Sequence, residues 1–137
     1  MNYLTIFGLL IISLSSSAEE KPYTMDSYLP PINVYEFYRE DKIRPQKSDF
    51  KIKSTIAMSN EDGNRAVLVS IENLSSGRRI LEPEQIVVMY ANGDVTKLSS
   101  LPKKITVDGG ASVNMTIELG YNIYPIISVL TSNNLKQ

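Results

Sequence analysis

The sequence predicts an all-β domain, an antiparallel sandwich or barrel, and three observations carry that prediction. Short stretches alternate apolar and polar residues with a period of two, as half-buried strands do. Turn residues punctuate the chain so that about eight short strands follow one another at spacings near ten residues. No segment shows a convincing amphipathic helical period.

The chain opens on an uncharged stretch, Leu4 to Leu14, that ends in Ser15-Ser16-Ser17-Ala18 before Glu19-Glu20-Lys21-Pro22. The apolar run is far short of the ~20 residues a membrane span needs. Ser16 and Ala18 supply the small-x-small pattern of a cleavage site, so residues 1–18 are predicted to be a signal peptide, although no Lys or Arg precedes the apolar run. Cleavage after Ala18 leaves one domain's worth of chain.

Residues 19–31 are polar and carry Pro22, Pro30 and Pro31, which predicts an irregular N-terminal segment. The β-sandwich domain is placed at 32–131. Its first strand is expected at Ile32–Tyr38, rich in β-branched and aromatic residues, followed by a charged loop, Arg39 to Ser48, interrupted by Pro45. Phe50, Ile52, Ile56 and Met58 share one parity and Lys51, Lys53 and Thr55 the other, which predicts a strand with the first set buried. Ser59 to Asn64 is turn chemistry, and Val67, Val69 and Ile71 resume the alternation, so Phe50–Met58 and Ala66–Glu72 are expected to pair antiparallel.

Glu82-Pro83-Glu84-Gln85 allows one helical turn before the apolar run Gln85–Tyr90. Asn92-Gly93 then predicts a hairpin with a type I′ turn and a returning strand at Asp94–Leu98. Ile105–Val107 leads to the tight turn Asp108-Gly109-Gly110. Val113, Met115, Ile117 and Leu119 form the cleanest alternation in the chain, Pro125–Thr131 is the last strand, and 132–137 reads as a polar tail.

From Val67 onward the text resembles bacterial extracytoplasmic immunoglobulin-like modules. The likeness lies in a strand ending in Asn (VLVSIEN), a strand leading to a Gly turn (VVMYANGD), and the piece ITVDGGASVNMTIEL. It implies a single immunoglobulin-like antiparallel sandwich of about seven to eight strands. It also implies binding to a partner or subunit, the commonest use of such domains.

Composition narrows the chemistry. The chain has no His, Cys or Trp. The usual general base, thiol nucleophiles and nitrogen or sulfur metal ligands are therefore missing, and a Ser-His-Asp triad cannot form. Disulfides are impossible, and no cofactor is implied. With 15 acidic and 14 basic residues the net charge is −1, which offers no field to attract nucleic acid or an anionic membrane. The basic stretch Arg39–Lys53 is expected to be a solvated loop. Glu82 and Glu84 are the nearest approach to a catalytic carboxylate pair, but two Glu flanking a Pro fit a solvated helix start better. The sequons at Asn73 and Asn114 are expected to be chance occurrences.

Tyrosines are the better lead, because Tyr contributes large contact area at modest entropy cost. Tyr28, Tyr35, Tyr38, Tyr90, Tyr121 and Tyr124 are the candidate interface residues; the competing reading has these rings capping the core. A second lead is Ala111 to Thr131, which carries a single charged side chain, Glu118. Any part of it at a sheet edge would offer backbone groups to a partner strand. These observations predict a non-enzymatic, periplasmic or secreted protein that contacts another protein, an accessory subunit of a cell-envelope assembly such as a secretion, conjugation or pilus system. They predict no nucleic-acid partner and no stable membrane insertion of the mature chain. The alternatives are an inhibitor or immunity protein that blocks a periplasmic enzyme, and a carbohydrate- or small-ligand-binding module, which the missing Trp disfavours.

Overall fold

The computed structural model describes residues 19–30 and 43–136. The expected signal peptide, the expected strand Ile32–Tyr38 with Tyr35 and Tyr38, and the first part of the charged loop lie outside the described residues. Among the described residues the fold is all-β. The strands are β1 (Thr24–Tyr28), β2 (Phe50–Ser59), β3 (Asn64–Asn73), β4 (Arg79–Leu81), β5 (Val87–Tyr90), β6 (Val95–Lys97), β7 (Ile105–Val107), β8 (Ser112–Tyr121) and β9 (Ile126–Leu130). They form three antiparallel sheets, ordered β1-β2-β3-β8, β4-β7 and β6-β5-β9. No helix among the described residues is long and apolar enough to cross a membrane.

All three sheets feed one buried cluster: Phe50, Val67, Val69, Ile71 and Ile117 from the four-stranded sheet, Leu81, Ile105 and Val107 from the two-stranded one, Val88, Tyr90, Ile126 and Val129 from the third. Burying those side chains drives the fold, at roughly 1.5–3 kcal/mol each. A smaller cluster, Val87, Met89, Val95 and Leu130, lies on the opposite parity of the three-stranded sheet against Leu135.

β2 and β3 pair as expected, from Phe50 opposite Asn73 to Ser59 opposite Arg65. The expected burial of Ile56 and Met58 is corrected by a bulge between Ile52 and Ser54. One extra residue flips every side chain after it to the other face. Thr55 and Ala57 are buried in place of Ile56 and Met58, which lie half-buried on the outer face.

The segment expected to be irregular contains β1, paired with β2 from Thr24 opposite Ser59 to Tyr28 opposite Ile56. All five of its residues are exposed, so it has no apolar period. Its strand character comes from backbone pairing to the β2 edge, with Ser59 Oγ donating to Asp26 (2.7 Å).

The β5–β6 hairpin forms, but not with a type I′ turn, which needs positive φ at both central residues. Only Gly93 is left-handed (φ 90°). Gly93 N–H donates to the Tyr90 carbonyl, and Tyr90 N–H to the Asp94 carbonyl, each at 2.9 Å. This is a three-residue loop, a type I turn closed by a left-handed glycine. The single helical turn expected before β5 is a 3-10 turn, Pro83–Gln85.

The expected polar tail is folded back rather than trailing. Ser132–Leu135 is a 3-10 turn whose side chains bond the start of β2. Thr131 Oγ1 donates to the Phe50 carbonyl (2.7 Å), and Ser48 N–H donates to Ser132 Oγ (3.0 Å). Asn134 both accepts from the Ile52 N–H and donates to its carbonyl, each at 3.0 Å, as a neighbouring strand would.

Candidate interaction surface

The four-stranded sheet uses one face for the core, where Ala57, Val67 and Ile117 share a cross-strand row. Side chains alternate across the sheet, so the flanking rows face outward. One outward row is Tyr28, Ile56, Leu68 and Thr116, and the next is Met25, Met58 and Glu118 around Ala66, which is fully buried. Met25 and Tyr28 are exposed (67% and 59%), and Leu68 is exposed beside the half-buried Ile56 and Met58. Farther along, the same face turns polar through Ser54, Ser70 and Asn114, then Lys51, Glu72 and Ser112. Lys53 and Glu72 form an ion pair there at 3.1 Å. Aromatic, Met and aliphatic side chains on the solvent face of a sheet are the composition of interfaces, and nothing in the core requires them.

The structure separates the candidate tyrosines. Tyr28 lies on β1 and Tyr121 on β8, the two opposite edges of the four-stranded sheet, roughly 14 Å apart by strand spacing alone. Tyr121 ends β8, and Ile123 and Tyr124 follow on the β8–β9 connection, all three exposed. Arg65 holds that connection, donating to the carbonyls of Asn122 (3.0 Å) and Ile123 (3.3 Å). Tyr90 is corrected to a core residue, only 6% exposed. Burial raises its phenol pKa above 10.0, opposed by a hydrogen bond with Asn122 and by the Arg65 charge. Tyr35 and Tyr38 lie outside the described residues.

The outer-face residues Met25, Ile56, Met58 and Leu68 were missed by sequence reasoning. A signal was present for Leu68, an apolar residue on the solvent parity of a strand whose other parity is Val67, Val69 and Ile71. For Ile56 and Met58 the bulge hid it.

β8 is an edge of its sheet, paired with β3 on one side only. From Ser112 to Ile117 it carries no charge and no Pro.

Glu82 and Glu84 are exposed on the 3-10 turn, where Glu82 N–H donates to the Gln85 side chain (2.8 Å). Asp108 pairs with Arg78 at 2.9 Å, both well exposed, while its carbonyl accepts the Ala111 N–H across the turn. Among the described residues no cluster of three or more acidic side chains is placed to hold a metal ion.

Comparison with protein-family models, with curated proteins and with solved structures finds no match to this chain.

Proposed function

We propose that this chain is an exported immunoglobulin-like sandwich that works by contact with another protein, as an accessory subunit of a cell-envelope assembly. The observation that carries the reading is the pair of outward apolar rows on the four-stranded sheet, centred on Tyr28, Ile56, Met58 and Leu68. Apart from the buried Ala66, that face lies outside the buried core cluster and presents side chains of the type that anchor interfaces. Antiparallel sheets sharing one core support the sandwich, and the run Leu4–Leu14 before Ser16 and Ala18 supports export. A mature chain beginning at Glu19 in the extracytoplasmic fraction is the expected product.

The test is a crosslinked pull-down of the chain from the envelope of its source cell, read by mass spectrometry, with wild type and Leu68→Lys side by side. Wild type should capture a stoichiometric envelope component, and the variant should lose about tenfold in affinity, the equivalent of roughly 1.4 kcal/mol. Capture of a single soluble enzyme would replace this reading with an inhibitor. Capture of no protein would leave a glycan or small ligand.

A further inference from the structure

We propose that β8 is where two copies of this chain join, antiparallel and centred on Met115, so that two four-stranded sheets become one of eight strands. This inference goes beyond the envelope reading and does not depend on it. β8 is the outlier among the sheet edges: it is ten residues long, against five for β1 and β9 and three for β6. Exposed edges are ordinarily shortened, charged, bulged or broken by Pro. β1 is short and bulged at Asp26. β8 carries none of these devices between Ser112 and Ile117, and its own irregularity lies beyond, opposite Arg65 and Ala66.

Backbone alternation tells which groups are free. Asn73 N–H donates to the Ala111 carbonyl, whereas Leu74 N–H donates to Asp49 on the β2 side. Odd-numbered residues of β3 therefore bond toward β8, where Ile71, Val69 and Val67 face Val113, Met115 and Ile117. The N–H and C=O groups of Ser112, Asn114, Thr116 and Glu118 turn away from β3, and among the described residues no other group takes them up. The Ser100–Pro102 loop and Thr116–Glu118 line a shared cleft of about 460 Å³.

A second β8 satisfies this edge in one register better than in others. A two-fold axis through Met115 sets Asn114 against Thr116 of the second copy and Ser112 against its Glu118, so all four outward-turned residues find partners. Val113 meets Ile117, the β-branched pairing that stabilises cross-strand neighbours. The only charge, Glu118, faces a serine rather than its own copy. Val113, Met115 and Leu119, left half-buried in the single chain, gain cover at the seam.

The register makes a sharp test, because the chain has no cysteine. Met115 would face its own copy as a non-hydrogen-bonded pair, with Cα atoms about 4.5 Å apart, within disulfide reach. Val113 would stand four residues from its copy, well beyond it. Mild oxidation should convert the Met115→Cys chain into a covalent dimer and leave Val113→Cys uncrosslinked. Sedimentation of the unmodified chain should give a reversible species of twice the chain mass. Thr116→Pro, which removes an outward N–H and no bond to β3, should sediment as a monomer with an unchanged circular dichroism spectrum. A monomeric wild type, or Met115→Cys crosslinking no faster than Val113→Cys, overturns the proposal.

Discussion

Asn73 is completely buried at the end of β3, and its side chain knits together three segments. Its Nδ2 donates to the carbonyls of Gly77 (2.8 Å), Val107 (3.0 Å) and Asp108 (3.3 Å), and its Oδ1 accepts from the N–H and hydroxyl of Ser75. Removing it strands several buried polar groups. Asn73→Ala is expected to cost about 3 kcal/mol, the upper range for a buried polar network, read as a lowered urea midpoint. Asn73→Asp should fare no better, since a carboxylate cannot donate to those carbonyls. The burial also puts the Asn73 sequon out of reach of a glycan in the folded chain. Tyr90 gives a second expectation. Its raised pKa means that folding favours the neutral phenol, so its contribution is complete below about pH 10, the ordinary value, and is lost as pH rises through the native pKa. Tyr90→Phe should therefore flatten the fall in stability between neutral and strongly alkaline solution. The Asn73 role was not legible in sequence, and for Tyr90 the core-capping reading stood beside the interface one. Asn at a strand end reads as turn chemistry, and Tyr beside Asn-Gly reads as a hairpin flank. Only the continuous burial of Val87–Tyr90 tells Tyr90 apart from the exposed Tyr121 and Tyr124.

At the scale of elements, alternation and turn chemistry placed β2, β3, β5, β6, β8 and β9 to within a few residues. What they could not reveal depends on partners. β1 is a strand because β2 offers it an edge, and the β2 bulge is visible only from its pairing with β3. Turn geometry was similarly underdetermined at Asn92-Gly93. Gly109 shows the opposite case, a residue type dictated by close approach, since a Cβ there would lie 2.3 Å from the Ser76 carbonyl oxygen. The C-terminal turn reads as a polar tail because its four consecutive polar residues, Thr131 to Asn134, bond to backbone rather than burying surface. Asn134→Ala removes both bonds to Ile52 and those to Thr131, and should destabilise the chain by about 2–3 kcal/mol. Asn134→Asp, which keeps the acceptor and loses only the donor to Ile52, should fall between the two in a denaturant titration.

For the whole molecule, the all-β class and antiparallel pairing were legible because β2, β3 and β8 each alternate or nearly so. The proposed interaction surface was only half legible, since a face is a property of neighbouring strands and not of any one of them. Leu68 sits outside the buried cluster, so Leu68→Lys should leave thermal stability within about 0.5 kcal/mol of wild type while producing the loss of affinity expected of the proposed surface. The bonds from Thr131, Ser132, Asn133 and Asn134 to Ser48, Phe50 and Ile52 span 81 to 85 residues of chain. Their consequence is one of timing. Contacts between such distant positions demand loop closure before they repay it, and they slow folding. β2 can pair with β1 and β3 as soon as they are made, but the bonds at Ser48, Phe50 and Ile52 wait for Thr131–Asn134, 81 to 85 residues farther along the chain.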